Sequence, residues 1–308
     1  MKKAFFIIFL ILTNFFFHCS YSQIFIVSKV NNEIITNYDI ITEKKYLLAL
    51  NPSLKKFDEK DLEIYAKKSL INEKVKKIEI EKYIKIPKDS TLLQKVINQI
   101  YSGLNLKSLD EFKQYLSENQ IDLSQVNQKI LIEIAWNDLI VNKFGNDINI
   151  DIESFKKKIS EQKTSETVLN LQISEIVFTT DNNQNLQDKF KILEESIKNI
   201  GFNETAKIYS ISSSKTSGGN IGWVYKQQLS ETVQKKISAL NIGEYSKPIV
   251  TPGGFVIIQL NDAKEETAEI NENEQLKKMI DFERDRQLNR FSNLYYKRIF
   301  NSTTIDEK

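Results

Sequence analysis

The segment YSISSSKTSGGNIGWV, from Tyr209 to Val224, concentrates the residues of this chain that could do something chemically specific. Gly218-Gly219 can supply a bulge or a positive φ just before a strand begins at Ile221. Gly222 would let a neighbouring helix or loop approach closely, and Trp223 offers an indole that either stacks on a peptide or sits half-buried. Gln227-Gln228-Leu229 follows, and Gly243 and Gly253-Gly254-Phe255 close the stretch. By themselves the glycines read as turn chemistry.

The rest of the chain limits the chemistry further. Lys2 and Lys3 precede an apolar run from Ala4 to Phe17, and Ser20 and Ser22 occupy the minus-three and minus-one places for cleavage before Gln23. The run is about fourteen residues, where a membrane span needs about 20, so residues 1–22 read as a signal peptide and no stable membrane anchor is expected. The single His18 and the single Cys19 both fall inside it. Bulky His18 argues against a lipid-modified cysteine. The mature chain then lacks disulfides, thiol nucleophiles, histidine bases and the common zinc ligand sets. It also shows no nucleotide loop or nucleophile elbow, and no cofactor or metal is expected. Loss of Lys2 and Lys3 takes the formal net charge from +2 to zero, which removes any electrostatic case for nucleic acid.

Composition and period describe what must carry the glycine-rich segment. With 4 Pro and 9 Gly in 308 residues, the chain favours long helices over sandwiches of short strands. Asn31-Asn32, between two β-branched runs, predicts a tight hairpin. Thr36 or Asn37 caps a following helix that ends at Asn51-Pro52. Further helices are predicted from Asp58 with a break at Pro87, from Ser90 to Tyr101, from Leu109 to Glu118, and from Leu123 to Phe144 with Gly145 as C-cap glycine. Trp136 reads as core.

At Leu169 the period changes. A strand reaches Phe178, a polar loop covers Asp181 to Asn185, and helices run from Leu186 to Ile200 and from Phe202 to Ile208. A strand over Ile221 to Val224, a helix over Leu229 to Leu240 and a strand over Val256 to Leu260 complete a compact α+β unit. From Thr267 to Phe300 the chain returns to helix, which must bury its apolar stripe on the N-terminal helices. Arg284, Asp285 and Arg286 interrupt the heptad that a dimerising coiled coil would need.

The order of these parts, with IFIVSKVNNEIITNYDI at the start and SGGNIGWV followed by PIVTPGGFVIIQL, resembles the SurA-type periplasmic chaperones, which carry parvulin (PpiC-type) peptidyl-prolyl isomerase domains. The resemblance implies a multidomain fold: a signal peptide over 1–22, a mainly α-helical chaperone domain over 23–167, and one inserted parvulin-like α+β domain over 168–263. A C-terminal helix over 264–302 completes the helical domain, and a flexible tail covers 303–308. Better-known members carry two parvulin repeats, whereas this chain has room for one.

Matching the family's motifs places the polar cluster of an active parvulin on Glu175, Ser212, Thr251 and Val256, where the family's two histidines fall on Glu175 and Val256. The proline pocket falls on Leu229 and Val233, with Trp223 and Phe255 beside it as substrate-binding residues. The resemblance therefore implies an ATP-independent periplasmic chaperone for unfolded outer-membrane protein chains, a monomer or weak dimer, in a Gram-negative bacterium. Its isomerase activity would be weak or absent. The alternatives are an active peptidyl-prolyl isomerase and a non-catalytic assembly scaffold. A client groove would draw on Tyr38, Tyr46, Tyr101, Phe112, Tyr115 and Tyr295, each of which could equally be core.

Overall fold

Asn31 takes a φ of 51°, which lets strand β1 (Ile26–Val30) turn back into β2 (Glu33–Thr36) as the Asn-Asn pair predicts. The computed structural model describes residues 23–162, 167–180, 185–251, 254–267 and 272–307. The expected signal peptide, most of the loop at 181–185 and Gly253 lie outside them. Helix α1 (Asn37–Leu50) begins at a reciprocal cap: Thr36 Oγ1 accepts from the Asp39 amide, and the Asp39 carboxylate accepts from the Thr36 amide at 2.7 Å. This satisfies amides that the first turn leaves open.

Short polar side chains set the next starts in the same way. Asp58 caps α2 (Glu59–Glu81), Ser90 caps α3 (Thr91–Gly103), Ser108 caps α4 (Leu109–Glu118) and Asp122 caps α5 (Leu123–Phe144). Two ends differ from expectation. Helix α2 stops at Glu81, ahead of Pro87, because Ile84 and Ile86 leave the helix to pack on the core. Gly145 ends α5 at a right-handed φ of −59° and leads into a 3-10 turn, so the backbone freedom of a C-cap glycine is not used there.

Helix α6 (Ile152–Gln162) has no counterpart in the predicted elements. Ile159 is the one buried residue among its described side chains, and Ile152 and Phe155 precede it at helical spacing. It lies against the C-terminal helix α10 (Glu272–Ser302). Just before it, the Asn149 amide donates to Gln287 Oε1 and Gln287 Nε2 donates to the Asn149 carbonyl.

Helix α10 starts later than expected, because Thr267 still belongs to a strand and pairs with Thr167. Its buried Tyr295 and Ile299 enter the core formed by Val30, Ile35, Ala66, Trp136, Leu139 and Ile140. Trp136 stacks on Tyr295 at 5.8 Å, and its Nε1 donates to Ser292 Oγ at 2.9 Å. The expected flexible tail is instead a strand: β7 (Ile305–Glu307) pairs antiparallel with β1, giving the order β2-β1-β7. Asn31 holds this junction by donating its amide to the Thr304 carbonyl and accepting from the Thr304 amide. The first and last described segments thus close one sheet. Deeper in the helices, Lys129 bridges Glu43 (2.7 Å) and Glu73, a buried charge arrangement that is tolerable because both signs are present.

The α+β unit comprises β3 (Thr167–Phe178), α7 (Leu186–Ile200), α8 (Phe202–Tyr209), β4 (Asn220–Tyr225), α9 (Glu231–Ile237), β5 (Ile249–Thr251) and β6 (Gly254–Thr267). Helix α9 is shorter and β6 longer than predicted. The antiparallel order is β4-β3-β6-β5. One face packs Ile176, Phe178 and Ile257 on Leu193, Ile197, Phe202 and Ala206 of α7 and α8. The other packs Leu171, Ile173, Val256 and Ile258 with Val224, Leu229, Ile237 and Ile249.

Leu54 and Leu62 of the helical unit form one buried cluster with Ile200 and Ile208 of the α+β unit. Lys56 Nζ donates to the Asn199 carbonyl beside it. Among the described residues, no helix is long and apolar enough to cross a membrane.

Candidate functional site

Glu175 sits in the middle of β3, opposite Ile258 of β6 and in phase with Ile173, so its side chain shares a face with the Leu229 core. Its amide donates to the Gly219 carbonyl at 2.8 Å. Gly219 has a φ of +79°, and a Cβ there would lie 2.2 Å from the Glu175 carbonyl oxygen and 3.0 Å from Ala206 Cβ. The second glycine of the pair is therefore needed twice, for its conformation and for the close approach of two backbones. Gly222 also has a positive φ (+88°), but nothing comes within 4 Å of its missing Cβ. The close approach expected at Gly222 occurs at Gly219 instead.

That approach brings the 3-10 turn Ser213–Ser217 under Glu175. Ser212 Oγ donates to Glu175 Oε1 at 2.6 Å, and Ser214 Oγ donates to the same oxygen at 2.9 Å. Ser210 Oγ, two residues earlier, accepts from the Val177 and Ser212 amides. Three serines at alternate positions stitch the turn to the strand. Ser214 and Ser210 were not among the expected site residues; the signal available in the sequence was their period of two with Ser212.

Burial pushes the Glu175 carboxyl above its ordinary range, and the two hydroxyl donors work in the opposite direction without reversing it. A carboxyl whose pKa is raised by folding holds a proton that the unfolded chain has released. Its contribution therefore favours folding below the ordinary value of 4.5 and is lost as pH rises through the folded pKa, at a cost of about 1.4 kcal/mol for each unit of elevation. Glu175→Gln keeps the oxygen acceptor and cannot ionise. In urea midpoints taken from pH 4 to 8, the variant is expected to gain on the parent chain as pH rises, because only the parent has the Glu175 proton to lose. Parallel curves would show that Glu175 titrates as in water.

The same turn carries Lys215, whose Nζ reaches the Ile208 carbonyl at 3.5 Å. Burial lowers its pKa to about 8, with Lys76 and Lys68 of α2 acting in the same sense and Glu133 of α5 opposing. Its ammonium is thus turned toward the helical unit.

The other expected positions do not join this cluster. Val256 is buried between Val177 and Ile249 and adds no polar group. Thr251 Oγ1 donates to the Gly254 carbonyl on its own hairpin at 3.2 Å. Leu229 is only 6% exposed and belongs to the core, which leaves half-buried Val233 of α9 as the accessible part of the expected pocket.

Trp223 and Phe255 lie on the opposite face of the sheet. Trp223 pairs with Gln172, out of phase with Val224, and Lys264 Nζ stands 4.5 Å from its ring centre. Phe255 packs on Phe178 at 5.6 Å, above α7 and α8. Of the eight expected site residues, the fold therefore brings together two, Glu175 and Ser212, joined by Ser214 and floored by apolar side chains. Among the described residues, no group of His, Cys, Asp and Glu is placed to hold a metal ion.

In the helical unit, Phe112 and Tyr295 are core residues, and Tyr46, Tyr101 and Tyr115 pack partly buried against a core cluster. Of the aromatics expected in a client groove, Tyr38 is the one that stands exposed. Phe25, Ile34 and Ile41, close to it along the chain, are exposed as well.

Residues 154–262 match the rotamase family, described as a PPIC-type peptidyl-prolyl isomerase domain. Chaperone SurA of Chromohalobacter salexigens is 24% identical over 187 residues, covering 59% of this chain and 43% of that protein. Periplasmic chaperone PpiD of Haemophilus influenzae is 26% identical over 161 residues, covering 52% of this chain and 24% of that protein. The chain spans less than half the length of these curated relatives. A solved structure from a pair described as SurA-like chaperones of Campylobacter jejuni is 19% identical, covering 92% of this chain and 99% of that one at a TM-score of 0.34.

Proposed function

We propose that this chain, a SurA-type member of the parvulin family, is an ATP-independent holding chaperone of the periplasm whose parvulin-like domain binds extended polypeptide and isomerises prolyl bonds weakly or not at all. The observation that carries this reading is the Glu175–Ser212–Ser214 cluster, which buried Val256 does not join. Prolyl isomerisation breaks no covalent bond. An enzyme speeds it by holding the twisted imide more tightly than either planar form, and that requires polar groups aimed at the transition state. Here one oxygen of the Glu175 carboxylate accepts from two serines, and Val256, the residue matched to the family's second histidine, adds no polar group.

Binding without catalysis needs less. Exposed Phe25, Ile34, Tyr38 and Ile41 in the helical unit offer apolar area to an unfolded chain. Half-buried Val233 offers a shallow contact for a proline ring, on the order of 1 to 2 kcal/mol. The clients would be unfolded outer-membrane protein chains.

The test uses the full chain in two assays. It is expected to suppress aggregation of a urea-diluted outer-membrane protein at near-stoichiometric amounts, and to leave the cis-to-trans rate of an X-Pro test peptide unchanged at micromolar concentration. Clear acceleration that is lost on replacing Ser212 or Leu229 would make the protein an active isomerase. Failure to hold unfolded chains, together with binding of one folded partner, would make it an assembly scaffold.

A further inference from the structure

The Glu175 carboxylate is used unevenly. Both hydroxyl donors, Ser212 and Ser214, end on Oε1, and Oε2 has no partner among the described residues. The groups that act on the carboxyl are the two serines and the apolar surroundings, with no lysine or arginine among them. The nearest cation along the turn, Lys215, reaches the Ile208 carbonyl and faces Lys68, Lys76 and Glu133 of the helical unit. Glu175 is thus a carboxyl group on the Leu229 face of the sheet, held through Oε1, with no hydrogen-bond partner on its second oxygen among the described residues.

We infer that Glu175 Oε2 receives the cationic side chain of a bound polypeptide, so that this site prefers segments carrying lysine or arginine next to proline over segments carrying an acidic residue there. The inference rests on the proposed peptide-holding role and adds a substrate class to it. A partly desolvated carboxylate gains most from a donor that is itself charged. An acidic residue brought to the same place meets like charge in a poorly screened setting. The uneven hydrogen bonding matters because a carboxylate already held by two donors loses little freedom when a third arrives.

The experiment compares three labelled peptides, identical except for lysine, alanine or glutamate before a single proline, binding to the full chain and to Glu175→Gln. The lysine peptide is expected to bind the parent chain about tenfold more tightly than the glutamate peptide, with alanine between, and the spread is expected to collapse in the variant. Because Glu175 also clasps the serine turn, a second measurement uses the parent chain alone. Zero-length carbodiimide coupling should join the peptide lysine to Glu175, as mapped by mass spectrometry.

Equal binding of the three peptides, or coupling only to other carboxylates, overturns the inference while leaving the holding role intact. If no peptide binds and unfolded chains are not held either, the holding role fails with it.

Discussion

Replacing Trp136 by alanine is expected to destabilise the helical unit by about 3–5 kcal/mol. The indole is 2% exposed, stacks on Tyr295 at 5.8 Å and meets Tyr296 edge-on at 6.2 Å. Its truncation opens a cavity between α5 and α10 and strands Ser292 Oγ without its donor. Tyr295 also donates to Glu79 of α2, so the loss spreads to a third helix. Helix α10 leads directly into β7, and the strand that closes the hairpin sheet should loosen with it.

The chain has two tryptophans, Trp136 and Trp223, one in each unit, which makes the test selective. In Trp136→Ala the helical signal in circular dichroism should unfold at lower urea, while Trp223 emission reports the α+β unit separately. An unchanged midpoint would mean that α10 is not held on the helical unit by this contact.

Gly219→Ala is expected to cost the α+β unit about 2–5 kcal/mol, from two sources. A left-handed φ costs an L-residue roughly 1–2 kcal/mol, and forcing a methyl group against packed atoms costs typically about 1–3 kcal/mol. Here those atoms are the Glu175 carbonyl oxygen at 2.2 Å and Ala206 Cβ at 3.0 Å. The first of these is backbone in the central strand and has little room to yield. Separation of the turn from β3 should also withdraw Ser212 and Ser214 from Glu175, so the variant should bind peptide poorly even where it remains folded.

Gly222→Ala is the control. It carries a similar positive φ with open space around it and should show the conformational cost alone. Gly219→Asn separates the two sources in another way, because asparagine tolerates the φ but still carries a Cβ. Trp223 fluorescence during urea unfolding measures all three. Equal effects at Gly219 and Gly222 would show that the backbone contact contributes nothing.

Features governed by near neighbours were legible in the sequence. The Asn31 turn, the Thr36–Asp39 cap and the starts of α2 to α5 depend on side chains within a few residues of the backbone they serve. The elements that were missed depend on distant partners. Strand β7 exists because β1 presents an unpaired edge far along the chain, and α6 exists because α10 lies beside it.

The candidate site divides in the same way. The glycine pair could be recognised as a place of unusual backbone, and Glu175 and Ser212 could be aligned with a family pattern. Trp223 and Phe255 stand on the face away from Leu229 because each is one residue out of phase with a core-facing neighbour, Val224 and Val256, and a match of motifs does not carry that phase. Ser214 was overlooked because a hydroxyl's role is fixed by what it reaches.

The sequence by itself determined where helices and turns begin, and that the sole histidine and the sole cysteine both lie within the first 22 residues. Only the tertiary structure decided that two serines converge on one oxygen of Glu175, that Gly219 rather than Gly222 takes the close backbone approach, and that the first and last described segments share a sheet. These outcomes depend on register and on close approach between remote segments, and a linear pattern of residue types does not contain either one.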